Sequence, residues 1–294
     1  MALWEEFAIL AAAIWAISNI MDKYTLTKLV KAATINEISL FVIVFIAVLL
    51  GIFNGFAALS IVNFALALFA GLLEALAIFF YFYAAKFDEI SRIAPVFAMD
   101  TLFVAVIAVF TLREVFSLPI YVGIGMLLLG ITLLGMRKIG KPRINKAVAI
   151  MLFASFLLGS STVIVKYLLG FGNYLSILAD VLLGYVFVLV PLLYLNFHKV
   201  RRLVETNRKG VAVLVTKETI AMFANILFIF AASIGPIALV NALSSVQPLF
   251  VLVFAVGLSV FYPKILREEI RESSVLLKLA AIVVIIIGSY LISV

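Results

Sequence analysis

The chain has 294 residues, 66% of them hydrophobic and 13% charged, with a mean hydropathy of +1.30, against roughly 45–50% apolar and about 25% charged in a soluble domain. Its 22 basic and 15 acidic residues cannot clothe a body of this size in polar surface, which excludes a water-soluble enzyme. With no cysteine and a single histidine, His198, disulfides, thiolate or histidine-cluster metal centres and a cysteine nucleophile are excluded, and no metal or cofactor is expected.

Ten apolar stretches, each near the ~20 residues that cross a ~30 Å hydrocarbon core, are expected to span a membrane. They are 4–22, 35–53, 64–84, 91–111, 119–136, 147–169, 175–197, 211–232, 238–261 and 275–293. The first reads as a permanent helix rather than a signal peptide, because Glu5 and Glu6 stand where a basic segment belongs. Along it Trp15, Ser18, Asn19 and Asp22 fall at i, i+3, i+4 and i+7, on one face that should line the interior. Trp15 reads either as a cavity wall able to meet a cation or as core filler. Ser18 and Asn19 read as partners for a substrate or for a neighbouring helix.

The third and fourth stretches carry Glu74 and Asp100 near their middles. An ionisable group there costs about 2.5–3.5 kcal/mol on insertion scales, so it faces a cavity or a partner. Both are candidates for proton coupling or cation binding, since apolar surroundings disfavour the ionised carboxyl. The alternative is a protonated acid that holds two helices together. Tyr81, seven residues after Glu74 on the same face, is a cavity candidate or an interfacial tyrosine.

In the sixth stretch Ser155, Gly159, Thr162 and Lys166 share a face. Lys23 and Lys166 are gate candidates, with Asp22, Asp180 or Glu37 as acids to pair with; the competing reading is snorkelling to the interface. The run His198–Lys209 reads as a basic cytoplasmic loop near anionic headgroups, with no nucleic-acid signature. Lys217 and Glu218, early in the eighth stretch, either neutralise charge in a path or form a structural pair, and Asn225 is a cavity candidate on polarity. In the ninth, Asn241, Ser244, Ser245 and Pro248 share a face beside Gln247. Asn241, Ser244 and Gln247 are further cavity candidates, and proline frees a backbone carbonyl.

Charge gives orientation. The breaks after the odd-numbered stretches hold nearly all the lysine and arginine, and the opposite set holds only Arg113 and Lys166. Basic residues stay on the cytoplasmic side, so both termini are expected outside. An internal repeat accompanies this pattern. Lys23-Tyr24 recurs as Lys166-Tyr167, Ser18 as Ser161, and Glu37 falls on Asp180. Further on, Ala84-Ala85 recurs as Ala231-Ala232, Leu102-Phe103-Val104 as Leu249-Phe250-Val251, Arg113-Glu114 as Arg271-Glu272, and Gly130 as Gly288. Five spans per copy turn the second copy over in the bilayer, an arrangement recurrent among secondary transporters. The expected fold is an all-α polytopic membrane protein of ten transmembrane helices in two inverted five-helix repeats, 1–138 and 147–294, joined by a basic linker at 139–146.

The segment Trp15-Ala16-Ile17-Ser18-Asn19-Ile20-Met21-Asp22-Lys23-Tyr24, the segment from Ser233 through Pro236, Ser244, Gln247, Pro248 and Phe250, and the pair Glu114 and Gly130 resemble the EamA-type transporters of the drug/metabolite transporter superfamily. The copies differ where Leu158 replaces Trp15 and where Asp100-Thr101 stands for Gln247-Pro248. The resemblance implies ten helices and movement of small metabolites or drugs. The expected function is secondary active transport of a small polar or amphipathic solute across the cytoplasmic membrane by alternating access, with proton coupling as an option. No phosphate-binding glycine loop is present to use ATP. The rival readings are a passive channel or lipid scramblase on the same fold and, more remotely, a membrane enzyme acting on lipid-linked substrates. The expected partners are the solute and the bilayer, with a monomer and a homodimer both open.

Overall fold

The computed structural model describes residues 2–28, 35–84, 87, 96–135, 146–261 and 272–293. Among them the regular structure is entirely helical: α1 (Leu3–Lys28), α2 (Ile35–Asn54), α3 (Ile61–Ala84), α4 (Asp100–Thr111), α5 (Leu118–Gly135), α6 (Lys146–Leu168), α7 (Tyr174–Leu183), α8 (Val186–Thr206), α9 (Arg208–Ile234), α10 (Ile237–Ser244), α11 (Gln247–Phe261) and α12 (Glu272–Ser293). Seven helical segments are long and apolar enough to cross a membrane, counting α7 with α8 and α10 with α11 as one segment each. Three shorter apolar helices lie in α4, α5 and α12. Large apolar side chains cover the outside, with Phe53, Ile61 and Phe110 80–81% exposed; such a surface is stable only against lipid.

Helix ends are set by local polar chemistry. Glu5 and Glu6 sit in the first turn of α1, and the Ala2 amide donates to Glu5 Oε2 at 3.0 Å, which satisfies an orphan amide. Asn173 caps α7 through Leu175 N, and Asn207 caps α9 through Gly210 N, both at 2.9 Å. The basic run corrects the expectation of a loop: α8 stays helical to Thr206 and only Asn207 separates it from α9. Arg201 pairs with Glu205 at 2.8 Å one turn on, and Lys199 donates to Asn196. Hydropathy marks where the chain leaves the membrane, not where its helix ends. The expected linker falls largely outside the described residues, and its last residue, Lys146, opens α6.

The bundle is assembled by helices distant in sequence. α1 packs on α9 and α11, α6 on α3 and α4, α2 on α7, and α5 on α12. Small residues permit the closest crossings. A Cβ on Gly123 would lie 2.8 Å from Gly288 O, and one on Gly130 would lie 3.0 Å from Ala281 O. A Cβ on Gly71 would overlap Val181 O, and one on Gly184 would overlap Leu68 O, so the backbones of α3 and the α7–α8 junction are in direct contact.

Three spans are interrupted. A turn at Gly184–Tyr185 separates α7 from α8, one at Ser245–Val246 separates α10 from α11, and one at Ala98–Met99 precedes α4. In the last two the chain tightens into i→i+3 bonds, Leu102 N to Met99 O at 3.0 Å and Leu249 N to Val246 O at 2.9 Å. Pro248 then sits in the first turn of α11, where its missing amide is harmless.

Candidate functional site

The polar side chains gather where the broken helices meet the long ones. Asp100 opens α4 just past its turn. Asn241, in α10 just before the other turn, donates through Nδ2 to Asp100 Oδ2 at 3.0 Å and to Thr101 Oγ1 at 3.3 Å. Asn241 and Thr101 are buried, whereas Asp100 and Gln247 are half-buried. Ser244 is buried and donates to Val240 O at 2.8 Å and Ala8 O at 3.4 Å, tying α10 to α1. The same amide thus holds two broken spans together and orients one carboxylate oxygen.

A second constellation starts at Glu74, in the middle of α3. Its carboxyl interacts with the phenol of Tyr185, the residue in the α7–α8 turn. Tyr185 is 2% exposed and also lies within electrostatic reach of Glu218 on α9. Glu218 Oε1 is 2.6 Å from Lys217 Nζ, and Asp22 Oδ1 on α1 is 3.0 Å from the same ammonium. The Lys217 and Glu218 side chains are 6% and 7% exposed, and Asp22 is 21% exposed, so the acid of α1 is the open end of the triad. Tyr81 interacts electrostatically with Asp22 and Lys217 and is half-buried against Phe82 and Phe97. Glu74 and Asp100 are both half-buried.

The remaining expected residues are distributed around these groups. Trp15 is half-buried with its ring 5.5 Å from Phe228. Ser18 is buried and donates to Lys217 O at 3.5 Å, whereas Asn19, its neighbour on the helix, is exposed. Asn225 is half-buried on α9. The Lys23 side chain lies outside the described residues. Lys166 donates to Ala232 O at 2.7 Å and Gly235 O at 2.8 Å, the last carbonyls of α9 and its cap, rather than reaching out to the interface. Glu114 accepts from Ile237 N at 3.0 Å and Ala238 N at 3.1 Å at the start of α10 and interacts with Lys166. Opposite charges thereby clamp the α9–α10 corner in the sense the helix dipoles favour. Asp180, fully buried, accepts from Ala57 N at 3.1 Å. No group of three histidine, cysteine or acidic residues among those described is placed to hold a metal ion.

Sequence reasoning left Lys217 and Glu218 as an undecided pair and missed that Asp22 completes it; it also missed Tyr185. The signal for the first was their burial-sensitive position inside an apolar stretch beside an acid of the paired helix. The signal for Tyr185 was Gly184 before it, which marks a close backbone approach in mid-span.

Residues 2–136, just under half of the chain, match the model of the EamA-like transporter family, the family whose pattern the sequence resembles. The proteins of that family are membrane transporters, and the apolar helices make this chain a multi-pass membrane protein. A solved crystal structure shares the fold, with a TM-score of 0.69 at 14% identity over 98% of this chain and 94% of its own. No curated protein matches the chain in sequence.

Proposed function

We propose that the chain is a secondary transporter with ten membrane-spanning helices in two inverted five-helix repeats. It moves a small polar or amphipathic solute across the cytoplasmic membrane by alternating access, with Glu74 and Asp100 binding a proton or a cationic group. In this reading the three shorter apolar helices also cross the bilayer.

The observation that carries the reading is that the two turns beside Asp100 and Gln247 occupy repeat-related positions. The spacing that takes Ala84 to Ala231 takes Ala98–Met99 to Ser245–Val246. Broken helices of this kind place backbone and side-chain polar groups at the midplane, between the halves, where transported solutes bind. Repeat-related contacts support the same view. Ser18 donates to Lys217 O and Ser161 donates to Ala70 O at 2.9 Å; these four residues are related by the spacings that pair Lys23 with Lys166 and Ala84 with Ala231. The crossings Gly123–Gly288 and Gly130–Ala281 exchange under the spacing that takes Arg113 to Arg271. Such exchange of partners is what lets two halves swap conformations and open one side at a time.

The test is a thermal-shift screen of purified protein against amino acids, sugars, nucleobases, amines and dyes at two pH values. A ligand at about 100 times its Kd adds about 2.7 kcal/mol of stability. The expected result is a pH-dependent shift that disappears in Glu74→Gln or Asp100→Asn. A ligand whose shift survives both substitutions overturns the role of the carboxyls.

A further inference from the structure

We propose that Asp22, Lys217 and Glu218 form a second proton-binding site and that Tyr185 links it to Glu74. The proposal rests on the reading of Glu74 as a proton-binding group.

Two carboxylates contact one ammonium, at 3.0 Å and 2.6 Å, and two of the three side chains are almost inaccessible. Uncompensated charge is expensive in such surroundings. With both acids ionised the triad carries a net charge of minus one; one additional proton makes it neutral. Lys217 touches both acids, so the proton has two equivalent homes: the ammonium gives a proton to Glu218 as it takes one from Asp22, and remains an ammonium. Asp22 is the acid with access to the outside of the cluster.

From Glu218 the path continues to Tyr185, which is buried in the α7–α8 turn and lies within interaction range of both Glu218 and Glu74. The proposed relay requires one water between Glu218 and the phenol. Each oxygen takes one proton as it releases another, so Glu218 ends ionised, Tyr185 ends neutral and Glu74 ends protonated, with no phenolate left behind. The groups facing this string are Tyr81 and Glu74 from α3, Tyr185 from the α7–α8 turn, Asp22 from α1, and Lys217 with Glu218 from α9.

The repeat makes the string one-sided. The positions related to Lys217 and Glu218 are Ala70 and Gly71, the one related to Asp22 is Val165, and the one related to Glu74 is Ala221. The counterpart of the triad is therefore an apolar contact, with Gly71 pressed against Val181. Glu74 consequently exchanges protons with the side of the membrane at which α1 ends and α9 begins.

The experiment is infrared spectroscopy of the full chain in liposomes, following protonated carboxyl bands during exchange from H2O to D2O. Glu74→Gln is expected to remove one such band; if it removes none, Glu74 is ionised and the coupling reading fails on its own. Tyr185→Phe is expected to keep that band but slow its deuterium shift by at least about tenfold, the scale of losing a positioned proton donor, as is Asp22→Asn. Tyr194→Phe, an exposed tyrosine on α8, controls for loss of any hydroxyl. Should Tyr185→Phe be unstable, Glu218→Gln reads the same path. A band present in wild type, removed by Glu74→Gln, and exchanging at the wild-type rate in the path variants overturns the relay.

Discussion

Lys217 shows how one residue is held in an apolar bundle. Its ammonium is satisfied by two acids from two helices, and its own carbonyl accepts from Ser18. Removing the cation alone leaves two carboxylates facing each other, and breaking a buried pair in this way costs about 3–5 kcal/mol. Lys217→Met is therefore expected to lower the unfolding free energy by that amount in detergent titrations. The triple change Asp22→Asn, Lys217→Met, Glu218→Gln is expected to recover most of the loss, because the penalty comes from uncompensated charge and not from a missing contact. A triple variant as unstable as the single one would show that packing of the lysine stem dominates. Asn241 is held differently, since it donates to both Asp100 and Thr101 and so ties α10 to the start of α4.

At the scale of elements, small residues decide which helices touch. Gly71 and Gly184 let α3 and the α7–α8 turn meet backbone to backbone, whereas a Cβ on Gly125 would meet nothing. Gly71→Ala is expected to cost about 1–3 kcal/mol by forced overpacking, and Gly125→Ala to be neutral or stabilising by up to about 1 kcal/mol through helix propensity. Paired unfolding curves of the two variants check this; equal stability would mean that α3 can retreat at no cost. These crossings were legible in the sequence only in part. Runs of apolar residues announced the spans and the repeat pointed to Gly130 and Gly288, yet the partner of each small residue depends on the three-dimensional path. The helix breaks were illegible for a related reason: at Gly184–Tyr185 and Ser245–Val246 the backbone tightens to i→i+3 bonds without any interruption of hydropathy. The site was legible as a set of polar residues on helical faces, as with Trp15, Ser18 and Asp22. It was not legible as a set of partners, because Asp22 meets Lys217 and Glu74 meets Tyr185 across sequence gaps that periodicity does not read. Lys166 is the clearest case, since a long basic side chain near a helix end has the same pattern whether it reaches the interface or turns inward to cap α9.

The whole molecule carries its charge asymmetrically, and this predicts how it sits in the bilayer. The end of α8 holds Lys199, Arg201 and Arg202, and the start of α9 holds Arg208 and Lys209, beyond the apolar part of α8. At the opposite end lie Arg113, between α4 and α5, and Lys166, which is engaged with the carbonyls that close α9. Basic residues near membrane exits are retained on the cytoplasmic side, and a polybasic helix there gains about 1 kcal/mol per residue close to anionic headgroups. In the proposed ten-span topology the end of α1, the junction of α8 and α9, and the Asp22–Lys217–Glu218 triad near it are expected on the cytoplasmic side and both chain termini outside. The native chain has no cysteine, so single cysteines report topology without background. A cysteine at Asn207 or within 137–145 is expected to react with an impermeant maleimide only after the cells are opened, and one at Ser117 in intact cells. Labelling of Asn207→Cys from outside would invert the molecule, and with it the side from which Asp22 and Glu74 draw their protons; the pairing of helices and the position of the acids between them would be unchanged.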